Sequence, residues 1–253
     1  MLKLFNRFIL FFVPFLPRFI IYQIAGRYVA GETEKEALHH VKQLNDAGFS
    51  ATIDILGEHI LDKDKALKVS QKYCYLYDEI HRLNLDCNIS VKPTHLGMEI
   101  GEDFFNDNLM TLLDKARNHQ NFLRIDMENS PFTDATIQSY NKCISKYSHV
   151  GTVFQAYLYR TESDIESLAG EKFNFRLCKG IYRELPEIAI QGRNEINENY
   201  LKILRTAFRI GAYVGIATHD LSLLAKIYEL IEKEKVSSDQ FEFQVLYGVP
   251  MSG

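Results

Sequence analysis

Charged and polar side chains recur where the apolar runs of this sequence end. Asp54 and Glu58 follow the first run, Lys92 the second, and Asp126 with Glu128 the third. Gln155 lies in the fourth, Arg176 and Lys179 in the fifth with Tyr182 just beyond, and Thr218, His219 and Asp220 close the sixth. Acids and bases alternate along this set. If one fold brings them together, they suit an anionic or zwitterionic ligand beside a cofactor, because buried charges are costly unless paired. Arginine offers a planar fork that grips a carboxylate at two points, and lysine a compact point charge. Taken singly, each residue has a plainer reading. Asp126 and Arg176 would make a structural ion pair, Lys92 a solvated strand end, and His219 a satisfied neighbour. Gln155 and Thr218 would be layer-filling or turn residues, Tyr182 packing, and Cys178 a small core residue.

The elements that must position these groups alternate regularly. Strand candidates, rich in β-branched and aromatic residues, cover 50–56, 87–92, 122–127, 151–157, 173–179, 213–218 and 241–246. Several are nearly continuous apolar runs, as a parallel sheet covered by helices demands. Between them the apolar period is 3.6. Val69, Tyr73, Leu76, Tyr77, Ile80 and Leu83 fall on one stripe, and Tyr200, Ile203, Leu204, Ala207 and Phe208 on another. Thr33 is the expected N-cap of a helix over 34–47 that Gly48 ends, and Pro131 opens another.

Seven βα units in series favour a (βα)8 TIM-type barrel of the α/β class over an open doubly wound sheet, and no GxGxxG follows the first strand. A barrel needs eight strands, so residues 26–253 are expected to form a barrel lacking its eighth βα unit. In such a barrel the chemistry sits at the carboxyl ends of the strands.

The net charge of −4 lacks the basic face of a nucleic-acid binder. Four scattered cysteines without CxxC, and eight histidines without HExxH, leave no expected metal and point to a thiol-reducing, cytoplasmic setting. Residues 1–25 stand apart as an apolar and basic helical segment. Pro14, Pro17 and Arg18 break the roughly 20-residue continuity that a membrane span needs. Three readings of this segment stay open: a helix packed on the barrel, a helix lying at the inner membrane surface, or a cleaved signal.

Eight segments together resemble the proline dehydrogenase family: 27–33 (RYVAGET), 54–58 (DILGE), 90–97 (SVKPTHLG), 124–128 (RIDME), 154–157 (FQAY), 176–182 (RLCKGIY), 217–219 (ATH) and 241–244 (FEFQ). The likeness runs from about residue 27 to 248, in order and at matching spacing. It implies an FAD-dependent oxidation of L-proline to 1-pyrroline-5-carboxylate by hydride transfer to flavin N5. Electrons would pass to a membrane quinone, and a separate pyrroline-5-carboxylate dehydrogenase would act downstream. On matching positions it implies Asp126 and Arg176 as the active-site pair, with Lys92, Tyr182 and Glu58 at the substrate. Met127, Gln155, Arg176, Lys179, Gly180, Ile181, Thr218 and His219 are implied at FAD. Pro93 stands where a leucine is more usual and Ile181 where an alanine is, departures that should shift packing and not chemistry. The family also ends in a helix with two adjacent arginines that clamp the proline carboxylate, and no Arg-Arg pair occurs in this sequence.

Two further readings stay open. Another flavin barrel, such as a methylenetetrahydrofolate reductase, would share the fold but leaves segments 92–97 and 179–182 without a reason. A non-catalytic barrel remnant would use the fold without the chemistry.

Overall fold

The computed structural model describes residues 26, 29–170 and 173–252. Segment 1–25, for which the sequence left three placements open, and Arg27 of the first motif lie outside the described residues.

The first helix, α1 (Glu34–Asp46), starts where the capping signal placed it. The Thr33 hydroxyl accepts the Glu36 N–H at 3.3 Å, and the Glu36 carboxylate returns to the Glu32 N–H at 2.8 Å. Gly48, at φ +88°, turns the chain out of it. Strands and helices then alternate: β1 (Ala51–Ile53), α2 (Lys63–Arg82), β2 (Cys87–Val91), α3 (Glu102–Asn118), β3 (Leu123–Ile125), α4 (Thr133–Ile144), β4 (Val150–Gln155), α5 (Thr161–Ser167), β5 (Asn174–Cys178), α6 (Arg193–Arg209), β6 (Tyr213–Ala217), α7 (Leu221–Glu234) and β7 (Phe241–Gln244). All seven strands pair in parallel in the order β1-β2-β3-β4-β5-β6-β7.

The sheet curls. Side chains two strands apart meet on its inner face: Asp126 after β3 reaches Arg176 in β5, Arg124 in β3 reaches Asn174 in β5, and Arg176 reaches Gln244 in β7. In a flat sheet those strands would stand about 10 Å apart. The ends also approach each other, with the rings of His40 on α1 and Tyr247 after β7 centred 5.7 Å apart.

The outer face carries the apolar core. Tyr73, Tyr77 and Ile80 of α2, Phe105 and Leu109 of α3, and Tyr200 and Ile203 of α6 are fully buried against Ile89, Leu123, Phe175, Leu177 and Val214 of the strands. The inner face is different. Thr52, Asn88, Ser90, Arg124, Asn174, Arg176, Glu242 and Gln244 alternate with those core residues, so the strands read apolar-out and polar-in. Two strands make room for this polar layer with glycine. A Cβ on Gly151 in β4 would lie 2.9 Å from the Arg124 guanidinium, and one on Gly215 in β6 would lie 2.7 Å from the Gln244 amide nitrogen.

Among the described residues no helix is long and apolar enough to cross a membrane. Nor does any group of three or more His, Cys, Asp or Glu there stand where it could hold a metal ion.

Candidate active site

The parallel register sets the first part of the site. Val91 pairs with Ile125, so the next residues along, Lys92 and Asp126, emerge side by side at adjacent strand ends. The Lys92 ammonium donates to Asp54 beyond β1 and to Asp126 at 3.4 Å. Asp126 also accepts from the Ser90 hydroxyl and from Arg176 Nη1, the latter at 3.3 Å. The Tyr73 hydroxyl, rooted in the core of α2, donates to Asp54 at 3.0 Å and accepts the Ile55 N–H at 3.0 Å, which fixes that carboxylate from behind. The row Asp54, Lys92, Asp126, Arg176 thus holds two acids and two bases across β1 to β5. Their side chains remain 17 to 30% exposed.

The electrostatics follow from that packing. Burial, and then the neighbouring Asp126 charge, hold the Asp54 carboxyl above the ordinary aspartate range in spite of Lys92. Burial alone would lower the Lys92 pKa, but Asp126 and Asp54 outweigh it and hold the ammonium above its usual value. Two of its three hydrogens are engaged.

A second group lies deeper. Glu128 is fully buried and accepts both the Thr94 N–H at 2.8 Å and the Thr94 hydroxyl at 2.6 Å, while burial pushes its carboxyl pKa up. Gln155, only 1% exposed, donates its amide to the Glu128 carbonyl at 2.9 Å. These contacts tie the loops after β2 and β3 to the end of β4, and Met127 beside them is buried. Glu128→Ala would strand both Thr94 donors and open a void. It is expected to cost about 2–4 kcal/mol in denaturant unfolding, with Glu128→Gln costing clearly less because its amide can still serve the hydroxyl. Equal losses would show that Thr94 does not depend on this partner.

Above the row, the Tyr182 hydroxyl lies 3.4 Å from Glu58, so the loops after β1 and β5 bring these two residues together. Gly180 makes the turn into that loop possible. Its φ is +112° and an added Cβ would fall 2.3 Å from the Tyr157 ring. Ile181 points away and is 87% exposed.

The third group sits past β5 and β6. Asp220 caps α7 by accepting the Ser222 and Leu223 N–H groups, and it also takes Lys179 and Arg193. Burial would raise its pKa, but the hydrogen bonds from Lys179, Ser222, Arg193 and the Leu223 N–H prevail and hold it far below the usual range. Two cations on one carboxylate leave an excess of positive charge there. Thr218 accepts the Asp220 N–H at 3.2 Å, and His219 Nε2 accepts the Leu246 N–H at 3.0 Å.

The structure therefore gathers Lys92, Asp126 and Arg176 in one row, Glu58 with Tyr182 above it, and Lys179, Thr218 and His219 around Asp220. The sequence reading assigned no role to Asp54, Glu128, Asp220, Glu242 or Gln244. The signal for all five was present, since each stands in or directly after a quoted motif. Their partners come from other strands and could not be read from spacing.

The family profile described as proline dehydrogenase matches residues 37–252. The chain is 35% identical over 225 residues to proline dehydrogenase 2 of Bacillus subtilis (strain 168), which spans 89% of this chain and 74% of that one. It is 30% identical over 239 residues to proline dehydrogenase of Deinococcus radiodurans, spanning 92% and 77%. Proline utilization A from Bdellovibrio bacteriovorus, solved after inactivation by N-propargylglycine, has the same fold, with a TM-score of 0.81 at 24% identity over 91% of this chain and 29% of that longer one.

Proposed function

The chain belongs to the proline dehydrogenase family, and from that premise we propose that it oxidises L-proline to 1-pyrroline-5-carboxylate with FAD as cofactor. The observation that carries this reading is the charged row at the strand ends, in which Arg176 and Lys92 flank Asp126. Proline arrives as a zwitterion, and a row of alternating charge offers partners to both of its ends.

The donor set fits the flavin cofactor. Lys179 and Arg193, in excess over Asp220, are the cations a diphosphate would meet. Gln155, Thr218 and His219 line the neighbouring strand ends, with Met127, Gly180 and Ile181 at the loops beside them. When bound, FAD supplies the two-electron acceptor for hydride leaving the ring carbon beside nitrogen, and a membrane quinone takes the electrons onward.

The chain's own residues bind and orient. Lys92 keeps one ammonium hydrogen for the substrate carboxylate. Tyr182 packs its ring against the pyrrolidine, and Glu58, bonded to its hydroxyl, keeps it in place. Asp126 fixes Arg176 from one side, so that its guanidinium is preorganised to bear negative charge developing on the reduced cofactor. The curled seven-stranded sheet is read as the larger arc of a (βα)8 barrel. The product is a cyclic imine acid, a substrate for a pyrroline-5-carboxylate dehydrogenase.

The test is direct. The purified protein loaded with FAD should retain a flavin spectrum through gel filtration, and anaerobic L-proline should bleach it while D-proline does not. Retained flavin that L-proline leaves oxidised would defeat the proposal and favour a non-catalytic remnant.

A further inference from the structure

Arg176 is held from two directions, and only one of its anchors belongs to the row just described. Its Nε–H donates to Gln244 Oε1 at 2.5 Å. The Gln244 amide nitrogen donates in turn to Glu242 Oε1 at 2.5 Å, and the Tyr213 hydroxyl donates to Glu242 Oε2 at 3.1 Å. Gln244 and Glu242 both stand on β7, with all of β6 between them and Arg176.

The geometry points to Gln244 and Glu242, lying over Gly215, as positioning residues that fix the plane of the Arg176 guanidinium for the flavin reaction. This inference rests on the flavin-dependent reading above. Three observations carry it.

The first is directionality. A carboxylate only accepts, so the edge of the Gln244 amide that faces Glu242 must be its NH2. The carbonyl edge is thereby turned to Arg176. A glutamine without that neighbour could flip and present N–H to N–H. The second is space. Register pairs Arg176 with Gly215 and Gly215 with Glu242, so Gly215 lies on the path between β5 and β7. Any Cβ there would fall 2.7 Å from the Gln244 amide nitrogen and 2.9 Å from its Cδ. The amide reaches Arg176 because the intervening strand has no side chain at that point. The third is completeness. Nε is bound to Gln244 and Nη1 to Asp126. Two anchors on separate nitrogens of a planar group set both its plane and its direction. Tyr213, pushed up to about 12 by burial and by the Glu242 charge, stays a hydrogen donor to Glu242 at any working pH. The links from Arg176 through Gln244 thus donate in one sense down to Glu242, and Tyr213 donates to the same carboxylate from its other side, so the anion lies at the far end of the path from the cation.

Two readouts test this on the full chain. In 15N-resolved NMR without flavin, the Arg176 Nε–H signal, identified by its loss in Arg176→Lys, should exchange with water slowly. Gln244→Ala and Glu242→Gln should each speed that exchange about tenfold or more, because a held N–H becomes open to water. The swapped double variant, Glu242→Gln with Gln244→Glu, keeps a donor facing an acceptor at every link and should restore slow exchange. In the FAD-loaded protein, Gln244→Ala should slow proline-dependent flavin reduction about ten- to a hundredfold, as a small misplacement of a reacting-site group does. The proline concentration at half-saturation should barely move.

Unchanged exchange in both single variants would overturn the inference, and so would faster exchange with an unchanged reduction rate. A wild-type protein whose flavin proline never reduces would instead defeat the proposed function, and the exchange measurement would still decide whether β7 holds Arg176.

Discussion

Arg176→Ala is expected to slow proline-dependent flavin reduction by about a hundred- to a thousandfold, the usual loss when a preorganised donor to developing charge is removed. The fold should survive the change. Asp126 keeps Lys92 and Ser90 as partners, and Arg176 lies on the open inner face instead of in the apolar core. Arg176→Lys should recover only part of the rate. An ammonium restores the positive charge but cannot reach Asp126 and Gln244 from two fixed nitrogens at once. The measurement is the rate of anaerobic flavin reduction at saturating proline, with flavin content determined for each variant so that loss of cofactor is not mistaken for loss of chemistry. An unchanged rate in Arg176→Ala with flavin bound would show that the charge is supplied elsewhere.

The contrast between Arg176 and its partners shows what a single sequence makes legible. All seven strands lie within or overlap the apolar runs at 50–56 through 241–246, since one face of each must bury against helices. The helix starts at Thr33 and after Pro131 were legible for the same local reason, because caps and breakers act within a few residues. Lys92 and Asp126 could be placed at one end because parallel strands in series share a direction. The inner-face partnerships were not legible. Gln244 lies 68 residues from Arg176 and meets it only because the sheet curls and Gly215 leaves a gap. A period of two tells which face a residue takes, not which residue two strands away it touches. The same limit hid Asp220 behind Lys179 and Thr94 behind Glu128. Barrel layers are commonly filled by bulky apolar side chains, whereas here alternate positions of β2, β3, β5 and β7 are polar or charged.

Lys92 should be the side chain on which this polar interior most depends for stability. Its ammonium stands between two carboxylates, and Lys92→Met leaves Asp54 and Asp126 facing each other across the space it filled. The expected loss at pH 8 is about 3 kcal/mol, the low end for truncating a buried ion pair, because water still reaches all three groups. The pH dependence identifies the cause. Asp54 has a folded-state pKa above its unfolded value, so folding penalises its charged form. That penalty is absent below the ordinary carboxylate range and complete once pH exceeds the raised value. Lys92 runs the other way: its contribution is fully present below the ordinary lysine range and lost only as pH climbs through its own raised value. Between pH 5 and 8 the wild-type protein therefore keeps the full benefit of Lys92. In Lys92→Met the repulsion between the two acids drives the Asp54 pKa higher still, and lowering the pH relieves it by protonation. The stability gap between wild type and variant should accordingly narrow from pH 8 to pH 5 in denaturant titrations. Adding Asp54→Asn to Lys92→Met should remove most of that pH dependence, because only one carboxylate then remains at the site. A gap that stays constant or widens as pH falls would mean that Asp54 and Asp126 do not share Lys92, and that its loss is felt through packing alone.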